Sequence, residues 1–302
     1  VPVPVIIDTD PGTDDALALL LALASPELAV IAVTVCGGNA GLSRTLTNAT
    51  ALVRLAGAEV PVYAGAENPL LGRYRDAANV HGDDGLGGVA LPSGPPAHPG
   101  IASDMIRRLV FRRAVAPITL VGIGPATNLA LALATEPAIG ASIWEIVLMA
   151  GAAKRGNVTP FAEFNTWSDP EALAMVLASG VRVTLVPLEL TAQVLVSGAR
   201  LVALRARGGG AALHAACEIL ESLLKSARHA GEPLHDPCTI AWLLRPDLFT
   251  ARQADVTVEI SQGERRGKTA ITYRESGPVR VLQTVDTDAF FALLGERLAL
   301  LP

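Results

Sequence analysis

The chain has 302 residues, half of them apolar (50%), with few charged side chains (18%) and few aromatic ones (4%). So much apolar material with so little charge excludes an intrinsically disordered chain. A net charge of −5 offers no basic footprint for nucleic acid or for an anionic membrane, so neither is expected as a partner. Three cysteines, Cys36, Cys217 and Cys238, are an odd number in a long chain, so no disulfide framework is expected and a reducing, cytoplasmic location is. The most apolar stretch, 16–35, is interrupted by Ser25, Pro26 and Glu27 and preceded by Asp14 and Asp15. It suits a buried helix, a turn and a buried strand better than a membrane span.

Short β-branched runs alternate with Ala/Leu-rich helical patterns along the chain. A strand over 3–7 precedes a helix over 14–24; a strand over 30–35 precedes a helix over 43–58; a short strand follows at 60–63. Residues 101–113 read as helix, 118–121 as strand, 125–134 as helix, 145–148 as strand, 170–179 as helix and 181–186 as strand. Two helical pieces broken at Gly208–Gly210 span 200–228, residues 256–260 have the period of a peripheral strand, and 286–301 close the chain as a helix. The early strands are continuous apolar runs, as expected where helices cover both sheet faces. The expectation is therefore an α/β fold: an open, mostly parallel, doubly wound, Rossmann-like sheet with helices on both faces. No repeat or composition shift divides the chain, so residues 1–302 are read as a single domain. The Gly/Pro-rich segment 81–100 is a long loop of the kind that is either an active-site loop or poorly ordered, and it is expected as an active-site loop from the motif at its start.

The most informative segment is Ile-Asp-Thr-Asp-Pro-Gly-Thr-Asp-Asp-Ala, residues 7–16. Asp14 or Asp15 could simply cap the helix that follows, since Asp is favoured there. Capping does not account for Asp8 and Asp10 at a strand end, whereas a hard divalent cation with oxygen ligands accounts for all four. An EF-hand loop is excluded by spacing: counted from Asp8, its required Gly and Glu positions hold Thr13 and Leu19. A haloacid dehalogenase-like magnesium phosphotransferase also begins with a strand and Asp-x-Asp. Here Pro11 intervenes before Gly12, and no later lysine and acidic pair is evident. That reading stays open as the alternative.

Other polar residues fall at expected strand ends: Gly37-Gly38-Asn39, Gly122-Ile123-Gly124, Met149-Ala150-Gly151, and soon after it Glu163-Phe164-Asn165. In open parallel sheets, ligands bind outside the carboxyl ends of the strands, so these pieces share one edge. His235-Asp236-Pro237 precedes a last helical run, where Asp236 could act as its cap and Pro237 suits its first position. Beside a metal, His235 and Asp236 become a candidate proton donor and a candidate ligand.

Taken in order, Asp8–Asp15 (DTDPGTDD), Gly37–Asn39 (GGN), His81–Leu86 (HGDDGL), Val147–Gly151 (VLMAG), Ala162–Asn165 (AEFN), Asp169–Ala172 (DPEA) and His235–Pro237 (HDP) resemble the inosine–uridine preferring nucleoside hydrolase family. The resemblance spans most of the chain. It implies calcium-dependent hydrolysis of the N-glycosidic bond of ribonucleosides, giving ribose and free base. Carried over position by position, it implies that Asp10, Asp15, Asp236 and the main-chain carbonyl of Ile123 hold Ca2+, and that Asp10 is the general base for a metal-held water. It also implies that Asp14, Asn39, Asn157, Glu163 and Asn165 bind the ribose hydroxyls and that Met149 packs beneath the sugar. His81 and His235 would then lie toward the base, with His235 the candidate acid for the leaving group. A homodimer or homotetramer is implied as well. The window 225–234, where relatives commonly place a base-contacting ring, holds only His229, and the text around His235 leans toward pyrimidine nucleosides or broad preference. A non-catalytic ribose or nucleoside binder is the third reading, opposed by the intact set of acids and His235.

Overall fold

The computed structural model describes residues 1–74, 77, 82, 84–112, 116–226 and 231–302. The strands in chain order are β1 (Val3–Thr9), β2 (Leu28–Val35), β3 (Val62–Ala64), β4 (Ile118–Gly122), β5 (Ile143–Met149), β6 (Val183–Val186), β7 (Leu195–Val196), β8 (Glu232–Pro233), β9 (Phe249–Val258), β10 (Thr269–Tyr273) and β11 (Val279–Val285). Nine of them form one sheet in the order β10-β9-β11-β6-β5-β4-β1-β2-β3, and β7 pairs with β8 separately. From β3 through to β11 every neighbouring pair is parallel, while β9 runs antiparallel to both β11 and β10. This is the α/β, doubly wound sheet expected from the alternating runs. The chain winds outward in both directions from the boundary between β1 and β4, which opens a crevice at their carboxyl ends.

Both faces of the sheet are covered, which is why its strands lack alternation. Val5 and Ile7 of β1, Val121 of β4 and Val147 and Met149 of β5 belong to one apolar core. Their neighbours Ile6, Leu120, Ile146 and Leu148 belong to the other. The helix Thr13–Leu23 is buried on all sides through Ala22 and packs against helices Leu42–Leu55, Ala211–Ser226, Pro237–Leu244 and Thr287–Leu298. Its enclosure explains the apolar stretch that resembles a membrane segment. Among the described residues no helix is long and apolar enough to cross a membrane, and all three cysteines are buried thiols.

The carboxyl-terminal region departs from expectation. The run at 256–260 is the end of a ten-residue strand, β9, which lies inside the sheet; the edge strand is β10. Both β10 and β11 escaped notice because their residues are mixed, with partly exposed polar side chains, and their pairing is long-range. The short helices Phe164–Ser168 and Leu188–Thr191 also lack a periodic pattern long enough to read.

At the end of the sheet opposite the crevice, Glu145 of β5 is only 5% exposed. It accepts a hydrogen bond from Thr184 Oγ1 of β6 (2.5 Å) and one from Arg280 of β11 (2.9 Å), whose guanidinium also lies over the Trp242 ring. This polar row bridges three strands through otherwise apolar surroundings. Truncating Arg280 to Ala strands a buried carboxylate, and because the arginine is 28% exposed the expected loss is about 2–4 kcal/mol. Urea unfolding measures it, and Glu145→Leu combined with Arg280→Met should recover most of the loss; an unchanged midpoint for Arg280→Ala would show that the pair contributes nothing.

Candidate active site

The sheet delivers its polar residues to one place. Asp10 follows β1, Asn39 follows β2, Ile123 follows β4, Met149 ends β5 and Leu188 follows β6, all at carboxyl ends. Asn39, Ile123, Met149 and Leu188 line a cavity of about 760 Å³ together with Asp14, Asn157, Glu163, Asn165, His235 and Asp236. Asp10 and Asp15 are fully buried just beneath its floor.

The tight turn after β1 produces the acidic floor. The turn enters helix Thr13–Leu23 at Gly12, and Asp15 accepts the Gly12 N–H (3.0 Å), so the capping reading holds for Asp15. The same carboxylate accepts from Thr9 Oγ1 (2.6 Å) and from Asn39 Nδ2 (3.0 Å). Asp14 is left for the cavity, where it accepts from the His235 backbone N–H (3.3 Å). Asp236 precedes helix Pro237–Leu244, but its side chain makes no capping hydrogen bond, so it too is directed to the site rather than to the helix end. Carboxylate oxygens of Asp14, Asp15 and Asp236 lie within 4.8 Å of one another, a group that could hold a metal ion.

Asp10 is held differently. Its Oδ2 accepts the Asn39 N–H at 2.6 Å, while its buried Oδ1 has no hydrogen-bond partner among the described residues. Two glycines make room for it: a Cβ on Gly38 would sit 2.0 Å from Oδ2, and one on Gly124 would sit 2.4 Å from Oδ1. The Gly-Gly-Asn and Gly-Ile-Gly motifs are thus the two walls of a slot for one carboxylate. Burial, reinforced by the Asp15 charge, pushes the Asp10 carboxyl well above the usual carboxylate range. Asp236 is raised in the same way, by burial and then by Asp14, Asp15 and Asp10. Acids so placed resist ionisation together unless positive charge joins them. Hard oxygen donors, one of them an orphaned buried oxygen, fit a divalent cation.

Asp8 does not belong to this group. Its Oδ1 accepts from Thr34 Oγ1 (2.6 Å) and Asn128 Nδ2 (2.9 Å), and Asn128 Oδ1 accepts the Ala66 N–H, tying β1 to β2 and to the loop after β3. Burial pushes its carboxyl up to about 7. Of the four acids of this segment, Asp8 is therefore a strut, and Asp10, Asp14 and Asp15 remain at the site, joined there by Asp236.

The opposite wall comes from the Phe164–Ser168 helix and the loop before it. Glu163 caps that helix: its Oε1 accepts from the Asn165 N–H (2.6 Å), and its Oε2 from the Thr166 N–H (2.9 Å) and the Gly151 N–H (3.0 Å). Burial raises its carboxyl despite these bonds. Asn165 Nδ2 donates to the carbonyls of Ile123 (2.9 Å) and Met149 (3.0 Å), fixing both strand ends. The Ile123 carbonyl keeps a second lone pair. Asn157 is exposed at the mouth, and its Oδ1 accepts the Phe164 N–H (2.9 Å). His235 Nδ1 lies 2.7 Å from Thr191 Oγ1, and burial lowers the imidazole's affinity for a proton against the opposing charges of Asp14 and Glu232. His81 lies outside the described residues. Among the described residues of 84–100, none lines the cavity; this stretch is fastened to the helices by Asn48 Nδ2 on the Asp84 carbonyl and Ser222 Oγ on the Gly87 carbonyl.

The structure adds wall residues that sequence reasoning missed. Phe164 and Trp167 line the cavity, so rings absent from 225–234 are supplied by the segment that carries Glu163 and Asn165. Leu188, Ala192 and Leu223 complete an apolar side, and Lys154, Arg155, Glu189 and Glu232 stand at the rim. Only Phe164 had a signal, being inside a recognised motif; the others converge through tertiary packing.

The inosine-uridine preferring nucleoside hydrolase family matches residues 5–292. The chain is 41% identical to the pyrimidine-specific ribonucleoside hydrolase RihA of Shewanella woodyi, over 98% of this chain and 97% of that one. Among solved structures it is similar to a plant nucleoside hydrolase, PpNRh1 (TM-score 0.91, 34% identity, 99% of both chains). It is also similar to the purine-preferring ribonucleoside hydrolase from Gardnerella vaginalis (TM-score 0.91, 31% identity, 98% of both chains). Sequence and fold agree over nearly the whole length, and the chain belongs to the inosine-uridine preferring nucleoside hydrolase family, as a hydrolase of N-glycosidic bonds.

Proposed function

We propose that this protein is a calcium-dependent ribonucleoside hydrolase that releases ribose and free base, with uridine and cytidine among its preferred substrates. The observation that carries the reading is that Asp14, Glu163 and Asp236 line one cavity, with Asp10 and Asp15 buried beside them and all five at most 7% exposed. The calcium would be held by Asp10, Asp15, Asp236 and the Ile123 carbonyl, and when bound it would supply the compensating charge, grip the sugar diol and acidify water.

The side chains divide the remaining work. Asp10, fixed by the Asn39 N–H at the floor of the cavity, takes the proton from the attacking water. Asp14, Asn39, Asn157, Glu163 and Asn165 bind and orient the ribose hydroxyls over Met149. As the bond to the base stretches, positive charge grows on the sugar, and a preorganised ring of carboxylates and amide oxygens favours that state over the neutral substrate. His235, oriented by Thr191, gives a proton to the departing base; His81 is placed in the same role of facing the base by sequence alone. The apolar side of the cavity, with Phe164 and Trp167, takes the flat heterocycle. The pyrimidine preference is supported by the 41% identity to a pyrimidine-specific relative, against 31% to a purine-preferring one.

Three outcomes are expected. Initial-rate assays on a nucleoside panel should detect ribose release from uridine and cytidine at rates equal to or above inosine. EGTA should abolish it and Ca2+ restore it, and silence across the panel would overturn the reading. Asp10→Asn should keep the circular dichroism spectrum but lose kcat by about 10² to 10⁴, the usual worth of a general base, and near-normal turnover would remove Asp10 from that role. His235→Ala should slow uridine by a similar factor, about 10² or more, yet slow a nitrophenyl riboside only slightly, because nitrophenolate leaves without a proton; equal losses on both substrates would count against an acid role.

A further inference from the structure

The antiparallel end of the sheet touches the site's loop in a way that the catalytic residues alone do not require. Thr269, the first residue of β10, is 2% exposed. Its Oγ1 accepts the Ala152 N–H (2.9 Å) and donates to the Ala152 carbonyl (2.8 Å), so one hydroxyl satisfies both backbone groups of one residue. Ala152 is next to Gly151, which adopts a left-handed φ of +82° and whose N–H donates to Glu163 Oε2. A Cβ on Gly151 would lie 3.1 Å from both Cγ2 and Oγ1 of Thr269, so the threonine is seated directly against this turn. Two residues earlier in the same hairpin, Gly267 packs on Trp167 and Ala162, and Lys268 pairs with Ala162 as an isolated antiparallel bridge. The three residues 267–269 therefore staple both ends of the loop 152–162, which carries Asn157 and leads into Glu163.

We propose that Thr269 is a positioning residue for Glu163, acting through the Ala152–Gly151 turn, and that the β9–β10 hairpin holds the sugar-binding wall of the cavity in register. Its kinetic consequence rests on the sugar-binding role of Glu163 proposed above; the mechanical link does not. Without the hydroxyl the Ala152 groups lose their partner, the left-handed Gly151 turn loosens, and the Gly151 N–H no longer fixes the carboxylate.

The test uses Thr269→Val, which removes the hydroxyl at similar volume, and Thr269→Ser, which keeps it. Hydrogen exchange of the peptide covering 150–166, measured without substrate, should speed at least tenfold in the valine variant and stay near wild type in the serine variant. Unchanged exchange would overturn the proposal whatever the enzyme's substrate. In the ribose-release assay, Thr269→Val should lower kcat/KM about 10-fold or more, Thr269→Ser less than threefold. Introduced into Glu163→Gln, the valine change should cost less than threefold further, because both act on one group. Full additivity of the two losses would show a merely structural role. Wild-type silence on nucleosides would overturn the substrate reading while leaving the exchange result to decide the link. If Thr269→Val does not fold, Thr269→Ala, which leaves space rather than crowding Ala152, takes its place in both measurements.

Discussion

Five carboxyl groups gathered with almost no solvent are the constraint on which the rest of this structure depends. Each ionised group so buried loses several kcal/mol of hydration, and like charges side by side add to the cost. The fold answers with donors. The N-terminus of helix Thr13–Leu23 faces Asp14 and Asp15, backbone N–H groups of Gly12, Asn39, Gly151, Asn165 and Thr166 point at carboxylates, and Asn39 bridges Asp10 to Asp15. With Oδ1 of Asp10 left without a donor among the described residues, and Asp14, Asp15 and Asp236 brought close together, the site is an electron-rich concavity suited to cationic charge. A metal ion is one way of supplying it, and under the proposed function a sugar acquiring positive charge is another.

Placement of this concavity follows from topology. The chain leaves β1 toward β2 on one side and returns through β4 on the other, so the loops at the carboxyl ends of those strands diverge and leave room. Glycine marks the places where that room is tightest. Gly38 and Gly124 come from different strands yet limit the same carboxylate, so the two glycine motifs are one device. The antiparallel strands at the far end of the sheet are more than an appendage, since their hairpin reaches back to the loop that carries Asn157 and leads into Glu163.

Rigid and adaptable parts of the site are drawn from different sources. The floor is anchored to strand ends and to a helix buried on every side, the arrangement that best fixes catalytic geometry. The mouth, with Asn157, Lys154 and Arg155, is exposed loop. Apolar walls from Phe164, Trp167, Leu188 and Leu223 come from three separate elements, so this side of the cavity can change independently of the acidic floor. That separation accords with the different base preferences of similar proteins that share this fold.

Much of the chemistry was legible locally. Strand, acidic turn and helix are consecutive, so Asp10, Asp14 and Asp15 announce themselves within eight residues, and the β-α alternation declares a parallel sheet because both of its faces need covering. Asp236, Glu163 and Asn165 could be added only through the motifs that carry the family resemblance. Tertiary structure alone decided which acids act together: Asp8, still within β1, is taken up by Thr34 of the neighbouring strand and by Asn128, whereas Asp10 lies beyond the end of β1, in the turn, where strand alternation no longer sets its direction. It alone decided that Asp15 caps while Asp236 does not, that the rings of the cavity come from Phe164 and Trp167, and that Thr269 stands behind Glu163. Those contacts join residues up to 120 positions apart, and no periodicity in a linear chain encodes a pairing that exists only in the folded sheet.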